Sequence, residues 1–285
     1  MKTHLQQQIL QITDWRHPYN LDEGLQNQLA KPWYKAWNEW RIGTDLERIN
    51  LILRGMEAKT VLDLGCNDGF YGFAFAKLGA AQVIGVDARE KAIRRANLIK
   101  EYFDFKNISF ICQDLQAHDL AKKLSTSFDL VLFYGVLYHL SNPIETLRAL
   151  GKITQKVIAV QTFITGSDAP ILKLKDENVG LVGSGLTSVV CHPSQSATVK
   201  MLQYAGFDTI LRICPYPYFT SPLMARPHNA TRHFGFFYGI KTTVVDKAKL
   251  YSLLNVTETY DPNKQETQVV VINNDTPPLT PSIFL

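Results

Sequence analysis

The stretch Val61-Leu62-Asp63-Leu64-Gly65-Cys66-Asn67-Asp68-Gly69 constrains the chain more than any other. It reads as a short buried strand, a glycine-bounded turn, and then a helix over 70–78. A strand–turn–helix unit of this kind aims backbone N–H groups and a helix N-terminus at one point in space. A dinucleotide site there would need G-x-G-x-x-G, because a pyrophosphate must approach bare backbone. In this turn the middle glycine is missing, and the carboxylates of Asp63 and Asp68 lie in or beside it. They would repel a pyrophosphate. They suit a ligand that carries an ammonium group and no phosphate.

S-adenosylmethionine (SAM) meets that description, with its amino-acid tail, ribose, adenine and positive sulfonium. The following segments agree. A second strand over 83–87 ends in Asp87, about 20 residues beyond the turn, where a ribose-binding carboxylate belongs in a βαβ unit. A third strand over 108–114 ends in Asp114, and a fourth spans 128–134. Successive strand ends bearing Asp63, Asp87 and Asp114 form a ligand crevice at the carboxyl edge of a parallel sheet. On these residues the chain resembles the class I SAM-dependent methyltransferases from roughly 59 to 240. The resemblance implies that Asp63 and Gly65 hold the methionine end, Asp87 the ribose hydroxyls and Asp114 the adenine amino group. Cys66, Asn67, Gly69, Leu115 and Tyr134 complete the expected cofactor contacts. The implied fold is α/β, a Rossmann-like, doubly wound, seven-stranded sheet with its last strand antiparallel.

Composition sets outer bounds. With 285 residues, 46% of them hydrophobic, the chain can bury a full core. A net charge of +4 does not by itself argue for a nucleic-acid partner. Cys66, Cys112, Cys191 and Cys214 form no C-x-x-C pair, which argues against a zinc site or disulfide framework and suits a reducing cytoplasm. Cys66 reads as a small residue that fits the turn rather than as a reactive thiol. No signal-peptide core opens the chain, and no apolar run reaches the ~18 residues that would span a bilayer.

Taken in order, residues 1–55 read as an N-terminal helical lid, 56–245 as the methyltransferase domain and 246–285 as a C-terminal extension with an add-on hairpin. In the leader, Leu5, Ile9 and Ile12 have helical spacing, and Pro18-Tyr19-Asn20 breaks that helix. Every tryptophan lies here: Trp15, Trp33, Trp37 and Trp40. The last three share one helix face, which either packs on the domain or walls the substrate pocket. The helix after Asp87 turns Ala92, Ile93, Ala96, Ile99 and Phe103 inward, and the helix over 143–153 turns Ile144, Leu147 and Leu150 inward. A fifth strand covers 157–161. Residues 162–194, with Gly166, Gly180, Gly183 and Gly185, read as a long functional loop without structure of its own. A helix then runs to Ala205, capped by Gly206. Strands six and seven fall at 207–214 and 234–240, and a hairpin pairs 256–260 with 265–272.

Methyl transfer to a hydroxyl needs alignment, water exclusion and a base. The base must reach the end of the fourth strand, where the sequence is Gly135-Val136-Leu137-Tyr138-His139-Leu140. His139, with an imidazole that ordinarily titrates near pH 6.5, is the candidate base; packing or a cofactor contact is the alternative. Tyr138 joins it as a candidate catalytic or substrate-contacting residue. The same motif, with Pro143 after it and Pro193-Ser194 through Ala205-Gly206-Phe207 beyond, resembles the tRNA wobble-uridine carboxymethyltransferase family. There the matching tyrosine helps bind the carboxylate of carboxy-SAM. The glycine turn departs from that family, which has Gly-x-Gly where this chain has Asn67-Asp68-Gly69. No Asn-Pro-Pro-Tyr amide reader is present, which disfavours methylation of a base's exocyclic amine.

From Thr209 to Val245 there is no acidic residue, while Arg226, His228, Arg232 and His233 cluster. Arg226 and Arg232 could grip a carboxylate or phosphate, against the alternative of ordinary surface charge. The leading expectation is a cytoplasmic enzyme that methylates a hydroxyl or amine of a small-molecule acceptor, possibly acidic. Trp33, Trp37, Tyr138, Arg226 and Arg232 would line its substrate site, without metal or membrane. The alternatives are a tRNA-modifying alkyltransferase and a non-catalytic SAM-binding protein.

Overall fold

A computed structural model of the protein describes residues 2–30, 59–115, 124, 126–180, 184–213, 233–241, 248, 256–260 and 269–272. The chain divides into two compact units, Met1–Leu115 with Thr276–Leu285, and Gln116–Asp275.

The first unit holds α1 (Lys2–Gln11), β1 (Thr60–Leu64), α2 (Phe70–Lys77), β2 (Gln82–Asp87), α3 (Glu90–Phe103) and β3 (Ile108–Cys112). Its strands lie in the order β1-β2-β3, all parallel, with Asp63 opposite Gly85 and Asp87 opposite Cys112. Parallel neighbours require crossover helices, which α2 and α3 supply. Helix α2 is buried on every side from Phe70 to Ala76, so its sequence is apolar without periodicity. Helix α3 is amphipathic and buries Ala92, Ile93, Ala96 and Ile99 as the spacing predicts. Its last inward ring is Tyr102 rather than Phe103, because the Tyr102 hydroxyl accepts the Asp22 N–H at 2.9 Å from the N-terminal segment.

The second unit opens with β4 (Phe128–Tyr134), a 3-10 turn over Leu137–His139, α4 (Pro143–Ile153) and β5 (Thr154–Ile164). Next come β6 (Leu172–Asp176), β7 (Val189–Pro193), α5 (Gln195–Tyr204), β8 (Thr209–Ile213), β9 (His233–Ile240), β10 (Val256–Tyr260) and β11 (Val269–Ile272). Its strands run β4-β5-β9-β8-β11-β10. Strand β9 is antiparallel to both β5 and β8, as expected of the last strand in this fold. Strands β10 and β11 pair antiparallel with each other, and β11 adds parallel to β8. Helix α4 starts at Pro143, with the Asn142 side chain accepting the Glu145 N–H. Leu147 and Leu150 are buried, but Ile144 in the first turn stays 38% exposed. Gly151 lets α4 and α5 meet: a Cβ there would fall 1.9 Å from the Ala205 carbonyl oxygen.

The segment 162–194 differs from the sequence expectation. It extends β5 to Ile164 and then forms its own antiparallel pair, β6 with β7, in a separate two-stranded sheet. No helix among the described residues is long and apolar enough to cross a membrane.

Candidate active site

In the first unit, three strand ends and one turn carry the residues expected to hold the cofactor. Gly65 and Gly69 have φ of +72° and +86°, and Gly69 caps α2 in the left-handed conformation. Between them Asn67 also takes a positive φ, +51°. Asparagine is among the few residues that adopt this geometry at modest cost, so it stands where a glycine would otherwise be needed. Gly69 has a second reason to be glycine, since a Cβ would lie 2.6 Å from the Phe110 ring.

The carboxylates around the turn divide their work. Asp63 is buried and accepts the Gly72 N–H at 3.1 Å, in the first turn of α2. Asp87 accepts the Asn67 N–H at 3.0 Å and the Arg89 N–H at 2.9 Å. Burial raises the Asp87 pKa above the ordinary carboxylate value, with those two backbone donors pulling against it. A raised folded pKa stabilises the fold when the group is protonated, and that contribution is lost as pH rises through it. Further hydroxyl donors to Asp87, such as those of a ribose, would offset the cost of burying its charge. Asp114 is exposed just past β3, and Leu115 beside it is buried. These side chains are carboxylate acceptors, which fits the donating ribose hydroxyls and amino groups of SAM and opposes a phosphate. The Cys66 thiol is buried and its pKa is pushed well up, by burial first and then by Asp63, Asp87 and Asp68. Such a thiol is poorly nucleophilic, in keeping with a packing role in the turn.

Asp68 does something the sequence did not show. It is fully buried and held by the N-terminal segment rather than presented to a ligand. Its Oδ2 accepts the backbone N–H groups of Arg16 and His17, both at 3.1 Å. The His17 ring Nδ1 meets Oδ1, and the Tyr19 hydroxyl donates to the Asp68 carbonyl at 2.7 Å. The His17 ring stacks on Phe70 at the start of α2, 5.1 Å between centroids. Residues ahead of the sheet are thus bolted to the cofactor turn by a buried carboxylate. Trp15 is part of that bolt: it is fully buried, and its indole N–H donates to the Ile9 carbonyl at 3.1 Å. Trp33, Trp37, Trp40, Arg226 and Arg232 lie outside the described residues.

In the second unit, the motif after β4 turns at Gly135, φ +71°. The Tyr138 hydroxyl and the Gln161 side-chain oxygen each approach to 3.8 Å of where a Gly135 Cβ would stand. Tyr134 is buried with its ring edge-on to Phe236 at 5.6 Å. His139 Nδ1 lies 2.7 Å from Glu177 Oε2, with the two side chains only 12% and 19% exposed. The same Glu177 oxygen accepts the Gly185 N–H at 2.6 Å. Glycine at 185 suits this close approach, because a Cβ would fall 3.0 Å from both Glu177 Oε2 and His139 Cβ, a tight contact. A carboxylate can only accept, so Nδ1 carries the proton and Nε2 is the basic nitrogen of the ring. Sequence reasoning did not single out Glu177, which lies just past β6. Among the described residues no cluster of metal ligands is found.

Comparison with known proteins places the chain in a family. A methyltransferase-domain family model matches residues 56–214. The chain belongs to the class I SAM-dependent methyltransferases, and SAM is its cofactor. Among curated relatives, the tRNA U34 carboxymethyltransferase of Helicobacter pylori (strain HPAG1) is 30% identical over 210 residues, 72% of this chain and 73% of the relative. That of Desulfotalea psychrophila is 28% identical over 181 residues, 63% of this chain and 54% of the relative, so the chain spans about half that protein's length. The N-terminal domain of EvdMO1, solved with SAH bound, shares the fold. Its TM-score is 0.68 at 20% identity, covering 84% of this chain and 97% of that one.

Proposed function

We propose that the enzyme methylates a hydroxyl group of a small-molecule acceptor, with His139 as general base. The observation that carries this reading is the His139–Glu177 contact at 2.7 Å in a largely buried setting. SAM supplies a methyl group already activated by the positive sulfur. What remains for the protein is to hold the acceptor in line and to take its proton. A hydroxyl loses a proton as its oxygen is alkylated, whereas a neutral amine can attack first and deprotonate later. A histidine fixed by a carboxylate is therefore better explained by an oxygen acceptor than a nitrogen one. Glu177 fixes the ring's tautomer and stabilises the imidazolium once the proton arrives. In this reading Asp63, the 65–69 turn, Asp87 and Asp114 serve the cofactor, and Tyr138 serves the acceptor.

A second reading has specific support from the curated relatives: alkyl transfer to the wobble uridine of tRNA, with Tyr138 contacting a carboxylated cofactor. Incubating the purified enzyme with methyl-labelled SAM and cell extract separates the two. Label should enter the small-molecule fraction in a form stable to mild base, as an ether is. Label confined to tRNA would overturn the small-molecule reading in favour of the second.

A further inference from the structure

The hairpin that supplies Glu177 also encloses one side of a cleft of about 320 Å³. Its lining includes Thr165, Ser167, Lys173, Lys175 and His192, and no acidic side chain among the described residues. The register explains the arrangement. Lys173 sits directly opposite His192 across the β6–β7 pair, and Lys175 follows two positions on, so all three share one face of the hairpin. The intervening Leu172 and Leu174 take the other face and are 37% and 68% exposed. The hairpin thus turns its cationic face toward the cleft, with Lys173 exposed and Lys175 half-buried, and leaves the leucines of the other face exposed as well. A lysine directly opposite a histidine is unfavourable to the pair when both are charged.

The cleft also connects to the proposed base through rings. His192 is 7% exposed and stacks on Phe163, 5.5 Å between centroids at 9°. Tyr138 stands 5.9 Å from His192 and 4.1 Å from His139.

We propose that this cleft binds the anionic group, a carboxylate or a phosphate, of the acceptor, with Lys173 and Lys175 as the charged contacts and His192 as the fixed wall. The proposal rests on the small-molecule reading above and narrows it to acidic acceptors. It assigns to the hairpin the charge recognition that sequence reasoning gave to Arg226 and Arg232. Lysine ammonium groups and the Thr165 and Ser167 hydroxyls supply donors that suit either kind of acid.

The test uses the full chain and does not depend on turnover. The imidazole C–H signals of His192, assigned by loss in His192→Gln, are followed by NMR during titration with inorganic phosphate and, separately, with acetate. Saturable shifts in the millimolar range are expected with at least one acid, and the stronger binder identifies the group. A Lys173→Met/Lys175→Met double variant, which keeps the aliphatic stems, should weaken that binding at least tenfold with an unchanged circular dichroism spectrum. His139→Ala should bind the acid as wild type does while losing turnover, so failure of the cleft and failure of the base are told apart. Non-saturable shifts, or equal affinity in the double variant, would overturn the proposal. So would a His192 signal that responds to tRNA but to neither small acid.

Discussion

Replacing His139 with alanine should lower kcat by about 10²–10⁴-fold, the range for loss of a positioned general base. Binding of S-adenosylhomocysteine should survive, because the cofactor groups named above lie on other residues. Glu177→Gln provides the matching control. A glutamine oxygen can still accept the Nδ1 proton, so the ring stays oriented, but the negative charge facing the imidazolium is gone. It should lose kcat by a smaller factor than His139→Ala, and the double substitution should cost little more than His139→Ala alone, since the two residues act as one unit. Full additivity of the two losses in single-turnover measurements would mean that Glu177 serves the hairpin and not the base.

The largest expected effect on stability is at Asp68. Alanine there would strip the acceptor from the backbone N–H groups of Arg16 and His17 and from the His17 ring, all in a buried setting. Breaking one side of such a buried pair costs about 3–5 kcal/mol. For a protein of this size that is a fall in Tm of roughly 6–20 °C. Asp68→Asn retains one acceptor oxygen and should lose less. Calorimetry on both variants decides the matter: a loss at Asp68→Ala below about 1 kcal/mol would show that the N-terminal segment is held by its aromatic packing instead.

The central α/β alternation was legible because its signals are local. Strand β4 and helix α4 have the expected limits, since an apolar run and a proline start declare themselves within a few residues. The glycine turn was legible as a turn, and the structure adds why Asn67 can stand in it. What sequence could not show was pairing across distance. Glu177 meets His139 across 38 positions, and Asp68 meets Arg16 and His17 across more than 50. Neither contact leaves a periodic trace. The hairpin was missed for a related reason. Leu172-Lys173-Leu174-Lys175 does alternate, but its partner strand lies beyond a glycine-rich stretch that reads as loop, and its leucines face outward. Phe103 and Ile144 were misread because helix periodicity fixes a face but not which residue at its edge finds a neighbour.

Titration calorimetry with S-adenosylhomocysteine tests most directly whether the first unit is a SAM site with Asp87 at its centre. Wild-type protein should bind one equivalent. With Asp87 holding the ribose as proposed, Asp87→Ala removes a charge-assisted contact of about 1.5–3 kcal/mol, so its Kd should rise roughly 10–150-fold. No binding by the wild type, or an unchanged Kd in Asp87→Ala, would contradict the account.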